Sequence, residues 1–129
     1  TITTRHLSYV YIRCQGQIAI RRRGKGDIWQ GLWEPYNATS FEENDTLSLA
    51  QLYHALSLPK EKCRPLLLKH NLKHVLTHRI LYADGYLLDT PTRPTLPPEY
   101  QWIDEADITQ YGVPRLIQLL FNDLPRTNV

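Results

Sequence analysis

The chain is 129 residues long, 42% hydrophobic and 22% charged, with a formal net charge of +2. That suits one soluble domain with one sizeable core and excludes a disordered segment. No apolar run reaches the roughly 20 residues that a membrane-spanning helix needs, and so small a charge does not by itself demand nucleic acid.

Thr1–Arg5 reads as the remnant of a linker, so the chain is expected to be a single domain, 1–129, excised from a larger protein. His6 to Cys14 reads as a strand, with Leu7, Tyr9, Tyr11 and Arg13 on one face and Ser8, Val10, Ile12 and Cys14 on the other. Gln15-Gly16-Gln17 signals a hairpin turn into a second strand carrying Ile18 and Ile20. That strand ends in a basic knot, Arg21-Arg22-Arg23, followed by a loop with Gly24 and Gly26. Trp29 and Trp33 flank Gly31 and are read as core anchors.

Asp45 is expected to cap a helix starting near Thr46, whose apolar face is Leu49, Leu52, Tyr53 and Leu56 and which ends at Leu58-Pro59. A strand of leucines follows Pro65. Ile80–Ala83 and Tyr86–Asp89 are expected to pair across an Asp84-Gly85 turn. Thr90 to Pro98 is an extended, proline-rich loop. Tyr100–Ile103 is a last strand, Asp104–Asp107 a polar helical turn, and Pro114 opens a final helix with Leu116, Ile117, Leu120 and Phe121 inward, stopped by Pro125. The sum is an α+β domain whose mixed or antiparallel sheet is flanked by helices.

Cys14 and Cys63 lack metal-ligand spacing and read as buried free thiols in a reducing compartment, with a disulfide as the minor alternative. The expected location is cytoplasmic and the expected state monomeric.

The stretch Lys73-His74-Val75-Leu76-Thr77-His78-Arg79 lies where one strand ends and the next begins. A hydroxyl flanked by imidazoles and cations at an exposed bend suits a polar, anionic ligand. The plainer alternative is a turn in which Thr77 bonds its own backbone.

Catalytic patterns are missing. No Cys–His pair has supporting context, no glycine loop ends in Lys-Ser/Thr, and no serine lies in a nucleophile elbow. The element order is compatible with a nucleotide pyrophosphohydrolase of the Nudix family, whose glutamates hold divalent metals. From Gly31, however, the positions such ligands would take fall on Asn37, Asp45, Thr46, Leu49 and Ala50. No ligand cluster for that metal is expected, nor any cofactor.

Three segments together carry a resemblance. Asp27-Ile-Trp-Gln-Gly-Leu-Trp-Glu34 resembles the "G-L-W-x-G-L-W-E-F-P" segment of the C-terminal domain of MutY-type adenine DNA glycosylases. His74-Val-Leu-Thr-His78 resembles its "H-x-F-S-H" loop, and Trp102 with Tyr111-Gly-Val-Pro114 resembles its "W … Y-A-L-P" close. The three fall in family order and span about Arg21 to Leu124.

The resemblance implies a Nudix-like fold without a working Nudix box, and a role in base-excision repair. The domain would read 8-oxoguanine opposite adenine in double-stranded DNA. A separate N-terminal catalytic domain of the parent, which carries the iron–sulfur cluster, would remove the adenine. Guanine presents N7 as an acceptor; in 8-oxoguanine N7 carries a hydrogen and C8 an oxygen, so the edge pattern is inverted and extended. By this mapping Leu76, Thr77 and His78 form the base-reading segment. Thr77 keeps the hydroxyl of the family's serine. Leu76 replaces a phenylalanine and is either a strand-end core residue or an insertion at a base step. Arg21, Arg22, Arg23, Lys73 and Arg79 are the phosphate candidates. Two rivals remain: a degenerate Nudix hydrolase of oxidised nucleotides, and a protein-interaction module docking through Pro91–Pro98.

Overall fold

The computed structural model describes residues 1–59 and 63–125. Its centre is β1 (Thr3–Cys14), buried continuously from Leu7 to Cys14. β1 turns at Gln15 and Gly16, both at positive φ, into β2 (Gln17–Arg22). Short strands β3 (Trp33–Glu34) and β4 (Tyr36–Asn37) pair with β2 and β1. β5 (Glu42–Glu43) and β6 (Thr46–Leu47) make a small separate hairpin before α1 (Leu49–Leu56). β7 (Leu66–Val75) and β8 (Arg79–Asp89) follow, then β9 (Gln101–Asp104), a 3-10 turn (Glu105–Gln110) and α2 (Arg115–Leu120).

The main sheet runs β3-β2-β1-β8-β7, with β9 also on β2. β1 and β8 are parallel, in register from Thr3↔Arg79 to Arg13↔Asp89. The other pairings in the sheet are antiparallel, so it is mixed, as expected of the fold.

The alternation read from β1 holds, but both its faces are covered. Val10 and Ile12 pack with Leu52 and Leu56 of α1. Leu7 and Tyr9 pack with Leu116, Ile117 and Leu120 of α2, and Tyr11 packs with Ile18 and Ile20. Each such aliphatic side chain contributes about 1.5–3 kcal/mol of burial. The sheet is therefore the middle layer between two helices.

Four sequence expectations fail for identifiable reasons. Thr3–Arg5 is not linker but the start of β1, paired with Arg79–Leu81. Asp45 does not cap α1. With Asn44 it sits at positive φ in the β5–β6 turn, and the cap is Ser48, whose hydroxyl accepts from Gln51 N at 3.3 Å. Asp84-Gly85 is not a turn, because β8 runs straight through it. Asp84 is buried and accepts from Asn71 N at 2.8 Å, satisfying an amide at an irregularity of β7 where Asn71 has φ 52°. Pro125 does not stop α2, which ends at Leu120. Trp29 and Trp33 are half-buried at the margin of the core, each packed against it.

Candidate nucleic-acid interface

The β7–β8 connection is a two-residue tip. The last strand pair is Val75↔Ile80, and Leu76 N donates to Arg79 O at 2.8 Å, leaving Thr77 and His78 outermost. β1 holds this tip from the side: Thr3 N donates to the His78 carbonyl at 3.0 Å, and the Thr3 hydroxyl lies 3.4 Å from the same oxygen. The bend expected from the sequence is thus present and braced.

Thr77 and His78 are exposed. Among the described residues no intramolecular hydrogen bond engages the Thr77 hydroxyl, so the self-bonded turn is not what forms. Leu76 is half-buried and packs with the cluster of Leu7, Leu81 and Leu116. This packing is that of a strand-end core residue. Beside it Val75, which the sequence reading passed over, is 64% exposed. The signal for it was parity: with Leu72 inward, Lys73 and Val75 must face the other way along a strand.

Register separates the expected cations. Lys73 stands opposite Tyr82, and Tyr82 beside His6, so these share one face of the sheet. Arg79 lies beside Thr3 on the opposite face, that of His74 and Leu81. The His74 ring sits 6.5 Å from that of Trp29, which ties the tip's base to the β2–β3 loop. Neither Lys73 nor Arg79 makes an ion pair among the described residues.

The arginine knot comes apart, and the phosphate expectation fails for Arg23. Arg23 is buried: Nη1 donates to Glu34 Oε1 at 2.6 Å, Nη2 lies 2.6 Å from Asp27 Oδ2, and Nε donates to the Ile28 carbonyl. Arg21 Nε donates to Glu34 Oε2 at 2.9 Å, its guanidinium standing over the Tyr100 ring. Both side chains are engaged by Glu34, Arg23 within the domain and Arg21 half-buried at its surface. Arg22 alone of the three is exposed, with Nε on the Gly31 carbonyl.

Glu34 has no exposure and also accepts from the Tyr9 hydroxyl at 2.7 Å. Burial, then the Glu34 charge, pushes the Tyr9 hydroxyl far up its titration range. Burial works against the Arg23 charge, but the Glu34 hydrogen bond and charge outweigh it and raise its pKa. The network is a structural one.

A family model for the NUDIX domain matches residues 8–123. No match was found among curated proteins. Among solved structures, the C-terminal domain of mouse MUTYH, crystallised with human PCNA, aligns with a TM-score of 0.69 at 20% identity, over 91% of this chain and 84% of that one. A MutT protein from Methanosarcina mazei Go1 aligns with a TM-score of 0.63 at 14% identity, over 94% and 92%. A MutT NUDIX hydrolase from Burkholderia pseudomallei aligns with a TM-score of 0.64 at 15% identity, over 95% and 99%. These likenesses establish the fold. The residues present do not fit the divalent metals that Nudix hydrolases hold on their helix: α1 reads Leu-Ala-Gln-Leu-Tyr-His-Ala-Leu, without a carboxylate.

Proposed function

This chain belongs to the NUDIX domain family, and we propose that it serves as a non-hydrolytic reader of oxidised DNA, the part of an adenine glycosylase that senses 8-oxoguanine opposite adenine. The observation that carries this reading is the Thr77 hydroxyl, exposed and unengaged on a tip braced by Thr3. A hydroxyl with a free donor and free lone pairs can meet the N7–H and O8 edge of the lesion. Two further features support it: the fold shared with the MUTYH domain, and α1, which carries none of the carboxylates that metal-dependent hydrolysis would use.

In this reading the wedge role moves from Leu76 to Val75, the exposed apolar side chain beside the tip. Arg22, Lys73 and Arg79 meet phosphates, fixing register without reading sequence. Adenine removal belongs to a separate catalytic domain, which also carries the iron–sulfur cluster.

Fluorescence anisotropy on matched duplexes tests the reading. The chain should bind an 8-oxoguanine:adenine duplex more tightly than a guanine:adenine duplex. Thr77→Ala should cut that ratio about five- to tenfold, the worth of one hydrogen bond to a desolvated edge. An unchanged ratio removes Thr77 from the site. Release of pyrophosphate from 8-oxo-dGTP with magnesium would instead favour hydrolysis.

A further inference from the structure

Apart from the Thr77 tip, a second cluster gathers where the β5–β6 hairpin folds over β1. His6 Nδ1 lies 2.5 Å from Glu42 Oε2, and one ligand atom each from His6, Glu42 and Asp45 falls within 4.8 Å of the others. The His6 and Glu42 side chains are only 6% and 10% exposed. We propose that His6, Glu42 and Asp45 form a site for a first-row divalent cation, zinc or manganese, one that clamps the β5–β6 hairpin onto the central strand.

Three observations support it beyond proximity. The far side of the His6 ring is already oriented as a ligating imidazole requires: Nε2 is 3.1 Å from Asn71 Oδ1 and 3.4 Å from Asp84 Oδ1. Acceptors on the second ring nitrogen hold its proton there and turn Nδ1 toward Glu42, so a bound ion would take the place of the present Nδ1–Glu42 hydrogen bond. Asp84 is itself held by Asn71 N and by His70 Nδ1 at 3.0 Å, so this support is rigid. Next, a cavity of about 490 Å³ opens on the His6 and Asp45 side of the cluster, lined also by Arg5, His70, Asn71 and Tyr82. It gives water access to the open coordination positions that three protein ligands leave. Last, Glu42 and Asp84 are two carboxylates nearly out of water that share the His6 ring, and a cation offsets that surplus of negative charge.

One imidazole with two carboxylates selects the metal class. The nitrogen donor disfavours magnesium and calcium, which take oxygen, and the lack of thiolate disfavours copper(I). None of the three residues lies on α1, so this site is unrelated to the helix that serves Nudix hydrolysis.

The test uses the full chain, stripped with chelator and titrated with zinc chloride and, separately, manganese chloride by calorimetry. One ion per chain is expected, with a rise in Tm. Asp45→Asn is the decisive variant. Asp45 is exposed in a turn at φ 60°, a conformation asparagine tolerates, so the fold survives while a ligand charge is lost. It should weaken the metal at least about tenfold. Asp84→Asn should weaken it about 10–100-fold through the His6 ring. Loss of binding in Asp45→Asn with an unchanged circular dichroism spectrum supports the site. No binding to the parent chain, or binding that Asp45→Asn leaves alone, overturns it and assigns any residual zinc to the exposed histidines.

Discussion

Glu34 holds two guanidiniums and a phenol while wholly buried. Glu34→Ala should therefore cost roughly 3–5 kcal/mol in urea unfolding, since it strands the buried Arg23 charge. Glu34→Gln should cost less, because it keeps one acceptor. Asp27 adds a pH dependence. Burial alone would raise its carboxyl, but Arg23 holds it below the usual carboxylate value. Its stabilisation is thus present above the ordinary aspartate pKa and is lost as pH falls through the lower folded value, so Asp27→Asn should flatten the acid limb of a stability profile. The sequence showed three adjacent arginines and suggested a surface knot. Strand parity put Arg21 and Arg23 on one side and Arg22 on the other, and that much was readable. Their partner was not, since the Arg21↔Glu34 pairing depends on the length and path of the intervening loop.

At the scale of elements, strands, helix faces and the Leu76–Arg79 bend were legible because periodicity reports which side chains are covered. The Asp84-Gly85 signal misled because local turn chemistry was overridden by tertiary demand. Asp84 is needed for an amide on β7, and Gly85 is needed by α2. A Cβ at residue 85 would stand 3.2 Å from Leu120 Cβ and 3.3 Å from Phe121 Cε1. Gly85→Ala should then destabilise the domain by about 1–3 kcal/mol through overpacking, checked by thermal unfolding. The brace of the tip was invisible in sequence, as Thr3 and His78 are 75 positions apart. Removing residues 1–5 should speed amide hydrogen exchange at Arg79–Leu81 while α1 amides are unchanged, a pattern that isolates the brace from general unfolding.

For the whole molecule, the modest net charge takes on meaning once the internal ion pairs are subtracted. Arg21 and Arg23 are spent on Glu34 and Asp27, leaving Arg22, Lys73 and Arg79 of the proposed phosphate contacts. Three contacts predict a slope of about −2.7 for log affinity against log salt, and Arg79→Ala should reduce its magnitude by about 0.9 for oxidised and unoxidised duplexes alike. A loss confined to the oxidised duplex would reassign Arg79 to the lesion.

The parallel pairing of β1 with β8 has a consequence for biosynthesis. Thr3 meets Arg79 and Arg13 meets Asp89, so each residue on one whole edge of β1 has no neighbour until about 75 further residues have been made. At about 5–20 residues per second that interval is several seconds. Throughout it Leu7, Tyr9 and Ile12 depend on the β2 hairpin and on whatever chaperone attends the nascent chain.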